Sequence, residues 1–116
     1  QGRGARRKLG WFDEGAAPRR ERRDQARIAA LHEIAEAVAC TAAAPGSFAA
    51  PASAADIPPA CLAPDRARAL ADPLTGAAHA ITYPAPGTVR VCASLEAPAA
   101  DAESGCVTAP LRTRPR

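Results

Sequence analysis

The pattern of apolar and polar positions divides the chain into one helical stretch, a proline-rich middle and a strand-like end. From Pro18 to about Ala43, Ile28, Leu31, Ile34, Ala35, Val38 and Ala42 recur at helical spacing, while Arg27, His32, Glu33 and Glu36 are expected on the opposite side. Pro18 suits a first helical turn, where a missing N–H costs nothing, and Pro45-Gly46 provides the stop. About 25 residues rise roughly 38 Å at 1.5 Å each, so the helix is expected to project beyond a small core at its N-terminal end. Residues 44–64 carry Pro45, Pro51, Pro58, Pro59 and Pro64, which forbid a long helix or a central strand. Pro64 to Leu74 predicts a short helical turn through Arg66, Ala67, Leu70 and Ala71, stopped by Asp72-Pro73 and followed by a turn at Thr75-Gly76. Ala80–Tyr83 and Thr88–Leu95 then read as strands flanking the four residues Pro84 to Gly87, with Val89, Val91, Ala93 and Leu95 alternating onto one face. Beyond Pro98 the chain is polar and loop-like until Cys106 and Val107, and no internal repeat is visible.

Composition makes this core thin. The chain has 116 residues, one domain's worth, and its 47% hydrophobic content is mostly alanine. The larger side chains are seven Leu, four Ile, four Val, Phe12, Phe48, Trp11 and Tyr83. So few large apolar groups need staples, and four cysteines could supply them. No run of about 18 to 20 apolar residues is present to span a bilayer. Methionine is absent, so the chain is expected to be a processed product or an excised piece, anchored or processed through an N-terminal segment.

Charge is unevenly placed. Residues 1–27 hold nine basic groups against four acidic, residues 28–110 hold three against eight, and Arg112, Arg114 and Arg116 end the chain. The net charge of +3 therefore combines an acidic body (28–110), a basic stretch (1–27) and a basic tail; as domains the chain divides into a basic arm (1–17, flexible or partner-bound), the domain proper (18–110) and the tail (111–116). Clustered arginine attracts polyanions. Trp11 and Phe12 beside Arg6, Arg7 and Lys8 suit a half-wet surface, such as a membrane interface or a partner. Arg19, Arg20, Arg22 and Arg23 in the first turns oppose the helix dipole, which points to an external anionic contact instead of helix stability.

Cys40, Cys61, Cys92 and Cys106 contain no C-x-x-C, which argues against zinc and for disulfides in an oxidising compartment. Three pairings are possible. The sequential one, Cys40–Cys61 and Cys92–Cys106, closes short loops and is favoured, each bridge contributing about 3 kcal/mol. His32 lies one helical turn from Glu36 and reads as a surface pair, whereas His79 reads as packing. No catalytic or nucleotide-binding motif is present, and no metal or cofactor is expected. Asp101 and Glu103 alone are too few for a calcium cage.

The run from Arg23-Asp24 through Arg27-Ile28, Leu31 and Ile34 to Val38, a proline-containing loop, Leu70-Ala71-Asp72-Pro73-Leu74-Thr75-Gly76, and Val91-Cys92-Ala93-Ser94-Leu95-Glu96 together resemble the soluble, pilin-like part of bacterial single-pass membrane proteins. The order is similar to that of the major pseudopilins of type II secretion: long helix, variable loop, small antiparallel sheet. Residues 19–107 carry the resemblance. Gly105-Cys106 matches a Gly-Cys near the family's end and supports pairing with Cys92, whereas His79 and Ile81 stand where the family tends to have Tyr. The resemblance brings no catalytic residues, and without a processing motif or hydrophobic helix it does not imply filament assembly.

The resulting expectation is an α+β domain, one long N-terminal helix packed on a small antiparallel sheet and stapled by disulfides. It would serve as a non-catalytic periplasmic interaction or assembly domain, an accessory subunit at the outer face of a membrane. Arg6, Arg7, Lys8, Trp11, Phe12, Arg19, Arg20 and Arg23 would meet a protein partner or anionic lipid. Two rivals are a basic-arm nucleic-acid-binding or organellar ribosome subunit, and a small secreted enzyme with a polar pocket holding His79 or Glu96.

Overall fold

The computed structural model describes residues 2–97 and 105–111, with side chains from residue 18 onward. In chain order come helix α1 (Gly2–Ala43), a 3-10 turn (Ala54–Asp56), helix α2 (Pro64–Ala69), and strands β1 (Ala80–Thr82), β2 (Thr88–Cys92) and β3 (Cys106–Pro110). The strands form one antiparallel sheet in the order β1-β2-β3. This is the expected α+β arrangement.

The helix differs from expectation at its start. Pro18 lies inside α1 and not in its first turn. A proline there removes one backbone donor and sets its ring against the carbonyl one turn earlier, so it weakens the link between the two parts of the helix without ending it. Arg19, Arg20, Arg22 and Arg23 accordingly lie in the body of α1, and the dipole argument for an external anion does not apply to them.

C-terminal to Pro18 the buried face of α1 is a continuous stripe: Asp24, Arg27, Leu31, Ile34, Ala35, Val38 and Ala42. It continues the apolar pattern about two turns further, from Leu31 back to Asp24, through charged residues. Arg27, expected on the outer side, is 2% exposed, while Ile28 is only half-buried at the margin. Leu31, Ile34 and Val38 lie in one core with Val89 and Val91 of β2 and Ile81 of β1, all on the sheet face toward α1.

The proline-rich segment is ordered against this core. Ala54, Ile57 and Leu62 join it, and the bridge Cys40–Cys61, Cα atoms 5.7 Å apart, ties the segment to the last turns of α1. The segment also flanks the outer side of β1: Ile81 N donates to Ala52 O at 3.4 Å and Tyr83 Oη to Pro51 O at 2.7 Å. The Tyr83 ring meets Phe48 edge-on at 6.2 Å. Gly87, at φ +74°, ends the hairpin in a conformation that a side chain would disfavour.

β3 forms where the sequence suggested only Cys106 and Val107. Ala93 N donates to Gly105 O and Leu111 N to Gly87 O, both at 2.7 Å, which fixes the alternation along β2 and β3. Cys92 faces Cys106 at a non-hydrogen-bonded position, Cα atoms 4.1 Å apart, where side chains approach most closely, and the two form the second disulfide. Thr88 and Pro110 face each other at a position of the same kind, so the proline nitrogen points to the open edge and no ladder bond is lost. Both bridges have the favoured sequential connectivity. They are compatible with an oxidising, extracytoplasmic compartment. Among the described residues no helix is long and apolar enough to cross a membrane.

Candidate functional site

Where the stripe on α1 turns polar, three separate parts of the chain meet. Arg27 sits at the centre. Its Nε donates to Asp72 Oδ1 at 2.5 Å and its Nη2 to Asp72 Oδ2 at 3.0 Å, while Nη1 donates to Asp24 Oδ1 at 2.7 Å and Glu96 Oε2 at 2.8 Å. Arg23, one turn earlier, holds Glu96 in a two-pronged pair, Nε to Oε2 at 2.5 Å and Nη2 to Oε1 at 2.6 Å. Two guanidinium groups thus face three carboxylates. The planar fork of arginine suits this task, since it donates along several fixed directions in one plane.

The carboxylates also hold backbone. Asp24 accepts from the amides of Glu96 and Ala97, both at 2.9 Å, and so fixes the segment that leaves β2. Asp72 Oδ2 accepts from Leu74 N at 3.0 Å and Thr75 N at 2.9 Å, while Asp72 O accepts from Gly76 N and Asp72 N donates to Ala77 O. The D-P-x-T-G stretch is therefore a closed turn with its carboxylate hub plugged into Arg27. Gly76, at φ +76°, completes it in the left-handed region.

Charge pairing sets the ionisation of the group. The Arg27 side-chain bonds hold the Asp72 carboxyl far below the ordinary carboxylate range against the cost of burial. Arg23 first, and Arg27 second, hold Glu96 down to about 2, with burial opposing. For Asp24, burial opposes ionisation, and the amides of Glu96 and Ala97 together with Arg27 outweigh it. Arg27 is pushed upward, chiefly by Asp72. All five groups stay charged across the neutral range.

His79 lies beside this cluster, 6% exposed. Its Nε2 is buried and receives no hydrogen bond from any described protein group. Burial lowers its pKa; Asp72 opposes that shift and Arg27 adds to it. The ring borders two cavities. One, of about 450 Å³, is apolar and lined by Ile34, Ile57, Leu62, Leu70 and Ala71. The other, of about 630 Å³, is lined by Arg27, Asp72, Thr75, Ser94 and Glu96. A hollow bordered by both His79 and Glu96 is where an enzyme reading would look for a site. Yet the Glu96 carboxylate is occupied by two arginines, Thr75 Oγ1 accepts from Ala77 N, and the His79 Nε2 is shielded from solvent. Among the described residues no group of His, Cys, Asp or Glu is placed to hold a metal ion.

Of the residues expected to meet a partner, Arg19 and Arg20 are exposed on α1, as is Arg22. Arg23 is not part of an outward patch, because Glu96 takes its guanidinium. The side chains of Arg6, Arg7, Lys8, Trp11 and Phe12 lie outside the described residues, as do Asp101, Glu103 and the tail arginines. His32 is exposed, and its chain neighbour Glu33 is held by Arg66 of α2 at 2.6 and 2.7 Å. The Arg27 cluster was missed in sequence, although Asp24 and Arg27 continue the three-and-four spacing of the buried stripe. Comparison with protein-family models, with curated proteins and with solved structures returns no match.

Proposed function

We propose that the chain is a non-catalytic interaction domain of the cell envelope, an accessory subunit of a membrane-associated complex exposed to an oxidising compartment such as the periplasm. The disulfide-bonded kernel acts as a base, and α1 carries an arginine-bearing face away from it to a protein partner. One observation carries this reading. Residues 19 to 22 make a full turn of α1 in which every position is exposed, and the kernel holds the helix at the next two residues, Arg23 and Asp24. A turn of helix with no face packed on its own domain gains little from propensity alone, and burial against a partner surface would stabilise it. Arg19, Arg20 and Arg22 give that segment its positive charge, and the resemblance to pseudopilin-like domains supports the envelope address.

The test places photo-reactive residues at Arg19, at Arg22 and, as a control, at Arg68 on α2, in protein expressed in its native host. Cross-links to one defined membrane-complex protein from positions 19 and 22 but not 68, lost when residues 1–22 are removed, are expected. Equal labelling from all three positions, or cross-links to nucleic acid with steep salt dependence, would overturn the reading. Mass spectrometry of the unreduced protein tests the compartment, since four free thiols in native material would rule out an oxidising address.

A further inference from the structure

We propose that His79 is the trigger of an acid-operated latch: protonation at its Nε2 releases the Asp72–Ala77 turn from α1 while the disulfide-bonded remainder of the kernel stays closed. The argument begins with connectivity. Residues 62–91 lie between the two bridges, and neither bridge spans any part of them. The turn within this stretch is held to α1 by the Arg27–Asp72 pair, its own backbone bonds closing it on the same carboxylate. Nearby, Leu70 and Ile81 anchor the two ends of the segment in the core. A turn fastened by one polar hub between two apolar anchors is a natural unit of local opening.

His79 sits against that hub with an unbonded, buried nitrogen. In the neutral imidazole this costs one unmade hydrogen bond; in the cation it leaves a buried charge without a partner, which is far less tolerable. The charged groups around it offer no relief. Arg27 of α1 repels the cation. Asp72 attracts it but is already committed to Arg27 and to two amides. Glu96, across the larger cavity, is held by Arg23 and Arg27, and Arg68 of α2, on the rim of the apolar cavity, is positive and pairs with Asp65. The proton taken from water at Nε2 therefore leaves two outcomes. Asp72 leaves Arg27 to meet the imidazolium, or His79 swings out to water. Either one frees the turn. The ring borders both cavities, so release joins the apolar hollow to the larger one and opens a groove floored by Ile34, Ile57 and Leu70.

The sign follows from burial. A base whose pKa is lowered by folding stabilises the closed state above its unfolded value, about 6.5, and that contribution is lost as pH falls toward the folded value. The carboxylates of the cluster remain ionised in this range, so the latch responds before the ion pairs titrate.

NMR on the oxidised full chain tests the latch between pH 7.5 and 4.5, with the Cε1–H signal of His79 followed. Amide exchange, corrected for intrinsic rates, is read at Asp72, Thr75 and Gly76 and at Val89 and Val91. His79 is expected to titrate below the ordinary imidazole value of about 6.5, and protection at Asp72, Thr75 and Gly76 to fall at least tenfold across that step with β2 unchanged. In His79→Gln, protection in the turn should be independent of pH; should this variant not fold, the wild-type titration decides alone. Titration of His79 at or above about 6.5, protection in the turn unchanged while His79 protonates, or equal loss in β2 would each overturn the proposal.

Discussion

Arg27 shows how one side chain can be read correctly for its chemistry and wrongly for its place. Its charge assigns it to the water face of a helix, yet the spacing of Asp24, Arg27, Leu31, Ile34 and Val38 puts it on the buried stripe. What neutralises it lies 45 and 69 residues away, at Asp72 and Glu96, and no local pattern reveals partners at that distance. Removing a buried guanidinium leaves its carboxylates facing one another, a change that costs about 3–5 kcal/mol at buried ion clusters. Arg27→Ala is therefore expected to lower stability by about that amount in urea unfolding of the oxidised protein. Arg27→Lys keeps the charge but cannot reach three carboxylates at once, and should fall between. The exposed pair of Arg66 with Glu33 is the contrast: Arg66→Ala should leave the urea midpoint within error, because solvent screens it. If Arg27→Ala were as mild as Arg66→Ala, the cluster would be an incidental surface feature. The D-P-x-T-G stretch was legible as a turn, since Asp, Pro and Gly have turn roles of their own; that its carboxylate also anchors the turn to α1 was not.

At the level of elements, periodicity carried the helix through the core and the hairpin through β2, because both bury apolar residues at regular spacing. β3 was harder to see. Ala109 and Pro110 have little strand character of their own, and the strand reaches them because Cys106 is pinned opposite Cys92 and the proline nitrogen faces the open edge. Its entry is also sterically tight. A Cβ on Gly105 would come within 2.6 Å of the Ala93 carbonyl oxygen, the acceptor end of a residue already bonded to Gly105. Gly105→Ala is expected to cost about 1–3 kcal/mol by thermal unfolding, as forced overpacking does elsewhere, and to disturb the β2–β3 register. Gly76→Ala separates sterics from conformation, since nothing lies within 4 Å of its Cβ position and only its φ of +76° resists the change. It should cost about 1–2 kcal/mol and loosen the Asp72 turn alone, visible as faster amide exchange at Asp72 and Thr75.

The whole molecule is small, alanine-rich and dependent on covalent closure. Its core draws on α1, the proline-rich segment and two strands, with Leu31, Ile34, Val38, Val89 and Val91 as its fully covered side chains. That thinness was visible in composition, and so was the need for staples. The partner surface was less legible, because arginines on a helix look alike whether they face solvent, a partner or, like Arg23, an internal acid. The two bridges close chain separations of 21 and 14 residues and each contributes about 3 kcal/mol by loop entropy. Together that is about 6 kcal/mol, against a typical domain stability of about 5–15 kcal/mol, so reduction should remove much of the margin. Treatment with a strong reductant at neutral pH is expected to abolish the cooperative thermal transition. The amide spectrum should collapse for β1 to β3, while α1 keeps part of its helical circular dichroism, since helix formation within one segment does not require the bridges. Single-bridge variants distinguish the two staples. Replacing Cys40 and Cys61 by Ser should release Ala54, Ile57 and Leu62 and expose the apolar cavity, raising binding of a hydrophobic dye. Replacing Cys92 and Cys106 should instead free β3 and leave that cavity intact. A reduced chain melting cooperatively within a few degrees of the oxidised one would mean that the core suffices alone, and the link between this fold and an oxidising compartment would lose its physical basis.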